Sequence, residues 1–498
     1  MSEENYGSSP PYPLEKGEVA EARSTSPRDY QHYYDAHGLD GLQRRLKQRH
    51  IQMIAIAGTI GTGLFLGSGG ALATAGPLGA LIAYILVGTV VYSTLCSVGE
   101  LTCWAPISGT FPHFAGRWVD PALGFAVGWV QNYFYGIVIG LPAEISAANV
   151  LLTFWDPDVI WAVMVGINLF GTRWFGEAEF FFAVIKLSLI IALLLAGLII
   201  DLGGGPNRER IGFRYWKHPG ALNRAGLVNS VNTDRFLAWI SVLVQASYSF
   251  LGVEMVAIAA SETENPRRNI AKAIGRVFWR ILVFYVLGIL MIGMLVAYND
   301  DALLQSTGTA AQSPFVIAMN RAGVEVFPHI INACVFSSAF SAGNTGLFGA
   351  SRVLYGLALR GQAPKFFTKC TKRGLPLPAV LFCSGITLLA FMTVSKGGET
   401  VFKFQPWLAY WGMFWNVLFT LVTGYEVFFR WNTSKFITSY INIPIFFGLY
   451  FLYKIPKRSK VWKASEMDFY TGIPSVEETE TYIEKRTTLS QRVFDAVF

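Results

Sequence analysis

Three charged side chains lie well inside long apolar stretches of this chain: Lys186 in FFAVIKLSLII, Glu254 in FLGVEMVAIAA and Glu144 in GLPAEISAANVL. Holding an ionised group at the centre of a bilayer costs about 2.5–3.5 kcal/mol on insertion scales, so each is a candidate for holding an ion or exchanging a proton. Each also has a plain structural reading. The stem of Lys186 can snorkel to the interface. Glu254 can cap nearby N–H groups or pair with a lysine, and Glu144 can serve packing or a buried hydrogen bond. Bond-making chemistry has no comparable support: no nucleophile, base and orienter stand together, and the six histidines show no metal-ligand spacing. GTIGTG follows no strand and no GK[ST] triplet occurs, so neither nucleotide-binding loop is indicated.

The backbone offers a second kind of chemistry. IAGTIGTGLFLGSGG, residues 56–70, places six glycines in fifteen residues inside the first apolar stretch. Backbone N–H and C=O groups in hydrocarbon must be bonded, buried in protein or turned to a water-lined cavity. Small residues at this spacing can serve close helix packing. They can also break the helix and present free donors and carbonyls at mid-membrane, where a half-helix N-terminus favours a carboxylate. A second interruption favours the break. SYSFLGVEMVAIAASETENP, residues 247–266, carries Gly252 and Glu254 in the sixth apolar stretch. Paired interruptions at matching positions of two halves are a mark of inverted-repeat membrane folds.

The elements that must position these groups are membrane helices. The chain is 52% hydrophobic and only 15% charged, against about a quarter charged in soluble domains. Between His50 and Glu100 there is no Asp, Glu, Lys or Arg. The pattern predicts eleven spans near 52–74, 78–100, 121–150, 158–172, 180–200, 236–258, 278–298, 328–350, 376–395, 404–425 and 435–453. The fold class is therefore an all-α polytopic membrane protein. The net charge of +7 reflects loop residues and implies no nucleic acid partner. Residues 1–46 read as a disordered cytosolic tail, not a signal peptide. Residues 47–456 form the transmembrane domain, with repeat one about 52–200 and repeat two starting near 236, and 457–498 form a C-terminal cytosolic tail. Cys103 and Cys370 are placed in loops.

Basic loops orient such chains. RRLKQRH before the first span, Arg267, Arg268, Lys272 and Arg276 between spans six and seven, and Arg360, Lys365, Lys369, Lys372 and Arg373 between eight and nine all fall inside. Residues 201–235 are expected outside yet hold several Arg and Lys. KIPKRSK after the last span also asks for the inside, which eleven passes do not give. The parity error therefore lies between Arg373 and Lys454.

Several runs closely resemble the fungal amino acid permeases of the amino acid–polyamine–organocation superfamily. They include HIQMIAIAGTIGTGLFLGSGGALATAGPLGALIAYILVG, VGELTCWAPISGTFPHFAGRWVDPALGFAVGW, INLFGTRWFGEAEFFFAVIKL, ENPRRNIAKAI, YGLALRGQAPKFF and EMDFYTGIPSVEETE, and the likeness covers about residues 42–480. The resemblance implies twelve spans, ten of them forming two inverted five-helix repeats, and proton-driven amino acid uptake at the plasma membrane. It implies a substrate site at Ile60, Gly61, Thr62, Gly63, Phe250, Gly252, Glu254 and Glu144, with Phe250 as an aromatic lid and Glu100 near the inner mouth. Proton coupling falls to Lys186, packed near the broken first helix, and to Glu254. The implied partners are an amino acid, protons, the lipid bilayer, and trafficking or ubiquitin machinery at the tails; no cofactor or metal is implied. Two departures stand out. The fourth span is short. SKGGETVFKFQPWLAYWG joins, near Phe402–Lys403, two regions the family keeps apart, as though the tenth helix were missing. A non-transporting amino acid sensor and an inactive truncated isoform are the alternative readings.

Overall fold

The computed structural model describes residues 41–59, 63–130, 172–206, 208–304, 313–323, 327–387, 418, 422–429, 431–469 and 473–479. The fourth span, most of the third and the Phe402–Lys403 junction lie outside the described residues. So do Ile60, Gly61, Thr62 and Glu144. Among the described residues, helices dominate and the extended pairing is one isolated bridge, Leu46 with Thr263. This follows from the charge-free sequence, whose backbone groups must bond within their own segment.

Helix α1 spans Gln48–Thr59. The chain resumes as a π-helical turn, Gly63–Gly67, and continues into α2, Ser68–Trp104. The sequence reading put a loop between its first two spans; the helix instead runs through that point with a bend. Gly76 takes φ 76° and ψ 174° ahead of Pro77, a residue that cannot donate to the preceding turn. The freed groups are met from residues 221–223. The Leu78 N–H donates to the Ala221 carbonyl at 2.9 Å, and the Asn223 N–H donates to the Ala75 carbonyl at 3.0 Å. A Cβ at Gly76 would lie 2.9 Å from the Ala221 oxygen, so glycine is required there by space as well as by φ. Cys103, expected in a loop, sits in the last turn of α2.

After α3, Thr110–Trp118, and α4, Pro121–Trp129, the described chain resumes with α5, Thr172–Asp201. Helix α5 starts eight residues ahead of the expected span at 180 and so places Glu179 on the same helix as Lys186. Helix α6, Val231–Ser249, ends at an interruption; α7, Met255–Ile258, and a 3-10 turn, Ala259–Glu262, follow it. Helix α8 is Pro266–Leu295, α9 Pro314–Arg321, α10 Phe327–Leu359 and α11 Leu377–Thr387. The last expected span is two pieces, α12, Thr433–Tyr440, and α13, Asn442–Lys457. Helices α6 and α8 both pack along α2, while α5 packs on α1, α8 and α10. Tyr84, Phe250, Tyr285 and Lys186 are among the largest side chains fully enclosed by this arrangement.

Two of the basic residues of 201–235 have acidic partners. Arg214 pairs with Glu209 at 2.6 Å and Arg224 with Asp234 at 3.0 Å. Asp234, ahead of the sixth span, also accepts from the Gly226, Leu227 and Val228 N–H groups at 2.8–3.2 Å. Burial pushes its carboxyl up, but the Leu227, Gly226 and Val228 donors and Arg224 outweigh that and hold it at about 2.

At the face that carries the start of the described chain, Arg45 and Leu46 N–H groups both donate to the Glu262 carbonyl at 2.9 Å. Residues after α13 return to the same region. Asp120 accepts from Ser459 at 2.8 Å and from Tyr450 at 3.0 Å, and pairs with Lys454. Arg117 meets Asp468 at 3.3 Å, and Trp118 stacks on Phe469 with centroids 5.6 Å apart.

Candidate functional site at two interrupted helices

The two interruptions predicted from glycine lie against each other. On the first, the described residues are α1 up to Thr59 and the π-helical turn from Gly63. On the second, α6 ends at Ser249 and Gly252 takes φ 96° before α7 begins. Ser249 joins them: its hydroxyl donates to the Gly63 carbonyl at 3.0 Å and lies 2.8 Å from the Tyr84 hydroxyl. The Tyr285 hydroxyl donates to the Ser249 carbonyl. One turn away, the Gln245 amide donates to the Gly67 carbonyl at 2.9 Å. The Gly63 and Gly67 carbonyls are thus met by side chains of α6, and the Ser249 carbonyl at the end of α6 by Tyr285 of α8, as a backbone away from water requires.

Gly63 owes its identity to this contact. A Cβ there would lie 2.7 Å from the Ser249 Cα, against backbone that cannot swing aside. A large residue at 63 would drive side-chain atoms into the neighbouring helix, so this glycine serves close packing.

Phe250 is 1% exposed, with its ring stacked on Tyr285 at 4.4 Å between centroids and tilted against Tyr84 at 6.2 Å. Glu254 is half-buried and bends back to accept from the Gly252 N–H at 3.0 Å. That is the capping contact foreseen as its structural reading. Glu100, by contrast, is exposed near the end of α2 and is not part of this cluster.

Lys186 is fully buried in the middle of α5. Its charge acts on Glu179, seven residues earlier on the same helix and also fully buried. Seven residues is nearly two turns, about 10.5 Å of rise, and helical side chains lean towards the N-terminus, so the lysine stem points back to the carboxylate. Helix α10 supplies the rest of the shell: Ser341 donates to Glu179 at 2.6 Å and Asn344 at 2.5 Å. Sequence reasoning missed Glu179 because the expected span began one residue after it. The available signal was GEAEFFFAVIK, in which residues 179 and 186 share a helix face. A second buried pair was also missed. Arg352 of α10 meets Glu262 at 2.6 Å, with its guanidinium 4.0 Å over the Phe348 ring.

Residues 50–405 match the family model described as amino acid permease. The chain belongs to the amino acid permease family. The permease is 38% identical over 493 residues to the dicarboxylic amino acid permease of Saccharomyces cerevisiae, covering 86% of this chain and 80% of that protein. It is 38% identical over 489 residues to the proline-specific permease of Emericella nidulans, covering 86% and 88%. With the lysine-specific permease of Saccharomyces cerevisiae it shares 34% over 492 residues, covering 88% and 79%. Among solved structures, a nucleobase-cation-symport-1 family transporter in a closed conformation with bromovinylhydantoin bound superposes with a TM-score of 0.45 at 13% identity, covering 85% of this chain and 96% of that one. The permease is thus a multi-pass membrane protein of a family of amino acid transporters, not an enzyme.

Proposed function

We propose that this permease carries amino acids into the cell across the plasma membrane, coupled to protons, by alternating access between two inverted five-helix repeats. The observation that carries the reading is the juxtaposition of the two interrupted helices at Gly63 and Ser249–Gly252 in a chain of this family. The substrate carboxylate meets N–H groups near Gly61, Thr62 and Gly63. Its ammonium meets carbonyls near Ile60, Phe250 and Gly252, with Glu254 and Glu144 beside it and Phe250 closing over it. Lys186 and Glu254 are the proton-coupling groups. The first face described above, with Arg45, Asp120 and Asp468, is the cytosolic one, and both tails lie there. Trafficking or ubiquitin machinery meets those tails.

One proton moving with a zwitterion carries one charge. A membrane potential of 100 mV supplies about 2.3 kcal/mol per charge, which is roughly fiftyfold accumulation before any pH gradient. The test is uptake of labelled amino acids in a permease-deficient host, with and without a protonophore. Its relatives are named for dicarboxylic amino acids, proline and lysine, so the panel spans acidic, neutral and basic substrates. Uptake abolished by the protonophore is the expected result. Uptake of one amino acid at equal rates in both conditions refutes proton coupling.

The junction of TVF to FQPWLAYW favours a second reading, an isoform that lacks the tenth helix and does not transport. Binding without uptake in membrane vesicles identifies that state or a sensor. Reading the transcript across codons 400–405 separates a spliced or mis-assembled chain from a true loss.

A further inference from the structure

Of the carboxylates buried in this permease, the coupling scheme above leaves Glu179 unused. Glu179 is fully enclosed, receives hydrogen bonds from Ser341 and Asn344 of α10, and faces the Lys186 charge along α5. Several charged groups of the helices packed on α5 are engaged elsewhere: Arg49 and His50 of α1 meet Glu177, Arg352 of α10 meets Glu262, Arg321 of α9 meets Asp300, and Arg267 of α8 holds the Pro474 and Ser475 carbonyls. Around Glu179 stand the Lys186 charge and three neutral groups, Ser341, Asn344 and Thr345.

We infer that Glu179 is a positioning residue for proton coupling: it is the fixed counter-charge that orients the Lys186 ammonium and sets the pH at which that ammonium gives up its proton. The inference rests on the reading of Lys186 as the coupling group. Its physical basis is that a buried cation is held by an opposite charge only where hydrogen bonds also fix the partner. The two α10 donors satisfy the carboxylate oxygens and leave its charge to act on Lys186. They also tie α5 to α10, so the carboxylate stays put while the ammonium can release its proton and recover it. The proton leaves from the lysine nitrogen and returns to it.

The test is the initial rate of labelled amino acid uptake against external pH for the full chain, Glu179→Gln, Glu179→Asp and Lys186→Met, corrected for surface level. An opposite charge within about 4–6 Å moves a partner's titration by about 1–3 units. The alkaline limb of the Glu179→Gln profile is therefore expected to move to lower pH by about that amount. Glu179→Asp, which keeps the charge on a shorter stem, is expected to move it less. A uniform loss of rate with the midpoint unmoved in both variants overturns the inference and leaves Glu179 a structural residue. If Lys186→Met keeps the profile of the unaltered chain, the parent reading of Lys186 fails instead. Where uptake is too weak to follow, the pH dependence of thermal unfolding of the purified protein gives the same decision. The midpoint contributed by Lys186 must differ between Glu179→Gln and the unaltered chain, and coincident curves refute the assignment.

Discussion

The two helix interruptions solve the same problem by different means. The first borrows its partners: Ser249 and Gln245 of α6 meet the carbonyls of Gly63 and Gly67, and Tyr84 of α2 meets the Ser249 hydroxyl. The second is closed in part from within, by Gly252 at φ 96° and by Glu254 folding back onto the Gly252 N–H, while Tyr285 of α8 meets the Ser249 carbonyl at its head. A break that borrows its partners from other helices must loosen whenever those helices move. A break that partly satisfies itself depends on them less.

The comparison can be broken most completely at Gly63. Gly63→Leu forces side-chain atoms into Ser249 backbone that an added Cβ already approaches to 2.7 Å. Overpacking of this kind costs about 1–3 kcal/mol and sometimes more. The expected outcome is loss of both uptake and thermal stability, read by surface level and unfolding in detergent. A stable, transporting variant removes the close-packed crossing.

Gly252→Ala should cost less. An L-residue at φ 96° carries about 1–2 kcal/mol of strain. Folded protein with weakened uptake is expected, and a melting temperature equal to that of Gly63→Leu would erase the asymmetry. Ser249→Ala sharpens the contrast from the other side. It leaves the Gly63 carbonyl and the Tyr84 hydroxyl without a shared partner, an effect of about 1–3 kcal/mol. Glu254→Gln is the mildest, because the amide oxygen still accepts from the Gly252 N–H. Stability should hold while the half-saturation concentration for substrate rises; an unchanged value confines Glu254 to its capping contact.

Asp234 offers a control far from both breaks. Its carboxyl stands at about 2 in the folded protein, below its ordinary value of 3.8. Its contribution is therefore complete above pH 4 and lost as pH falls from about 4 towards 2. Asp234→Asn should remove that acid-limb dependence from thermal unfolding and leave the unfolding curves of the Gly63 and Gly252 variants relative to one another unaltered.

Much of this was legible without a fold. Charge-free runs announced the spans, since hydrocarbon admits only self-bonded backbone, and glycine marked both interruptions. Boundaries were harder. The expected span from 180 missed Glu179 by one residue, because α5 extends past its apolar stretch into TRWFGEAE, where Ser341 and Asn344 of α10 bond to the buried Glu179. The bend at Gly76–Pro77 was hidden for a similar reason: its open backbone groups are met by Ala221 and Asn223, far along the chain.

The sequence by itself determined that this is a polytopic helical permease with two interrupted helices and a buried lysine, because each of those rests on local composition or on motifs within single segments. Only the tertiary structure decided what those features touch. That Ser249 bridges both breaks, that Gly63 yields to a neighbouring backbone, and that Lys186 faces a hydrogen-bonded Glu179 are all matters of distance between segments. Pattern along one chain records which face a residue occupies, but packing alone chooses the group that meets it.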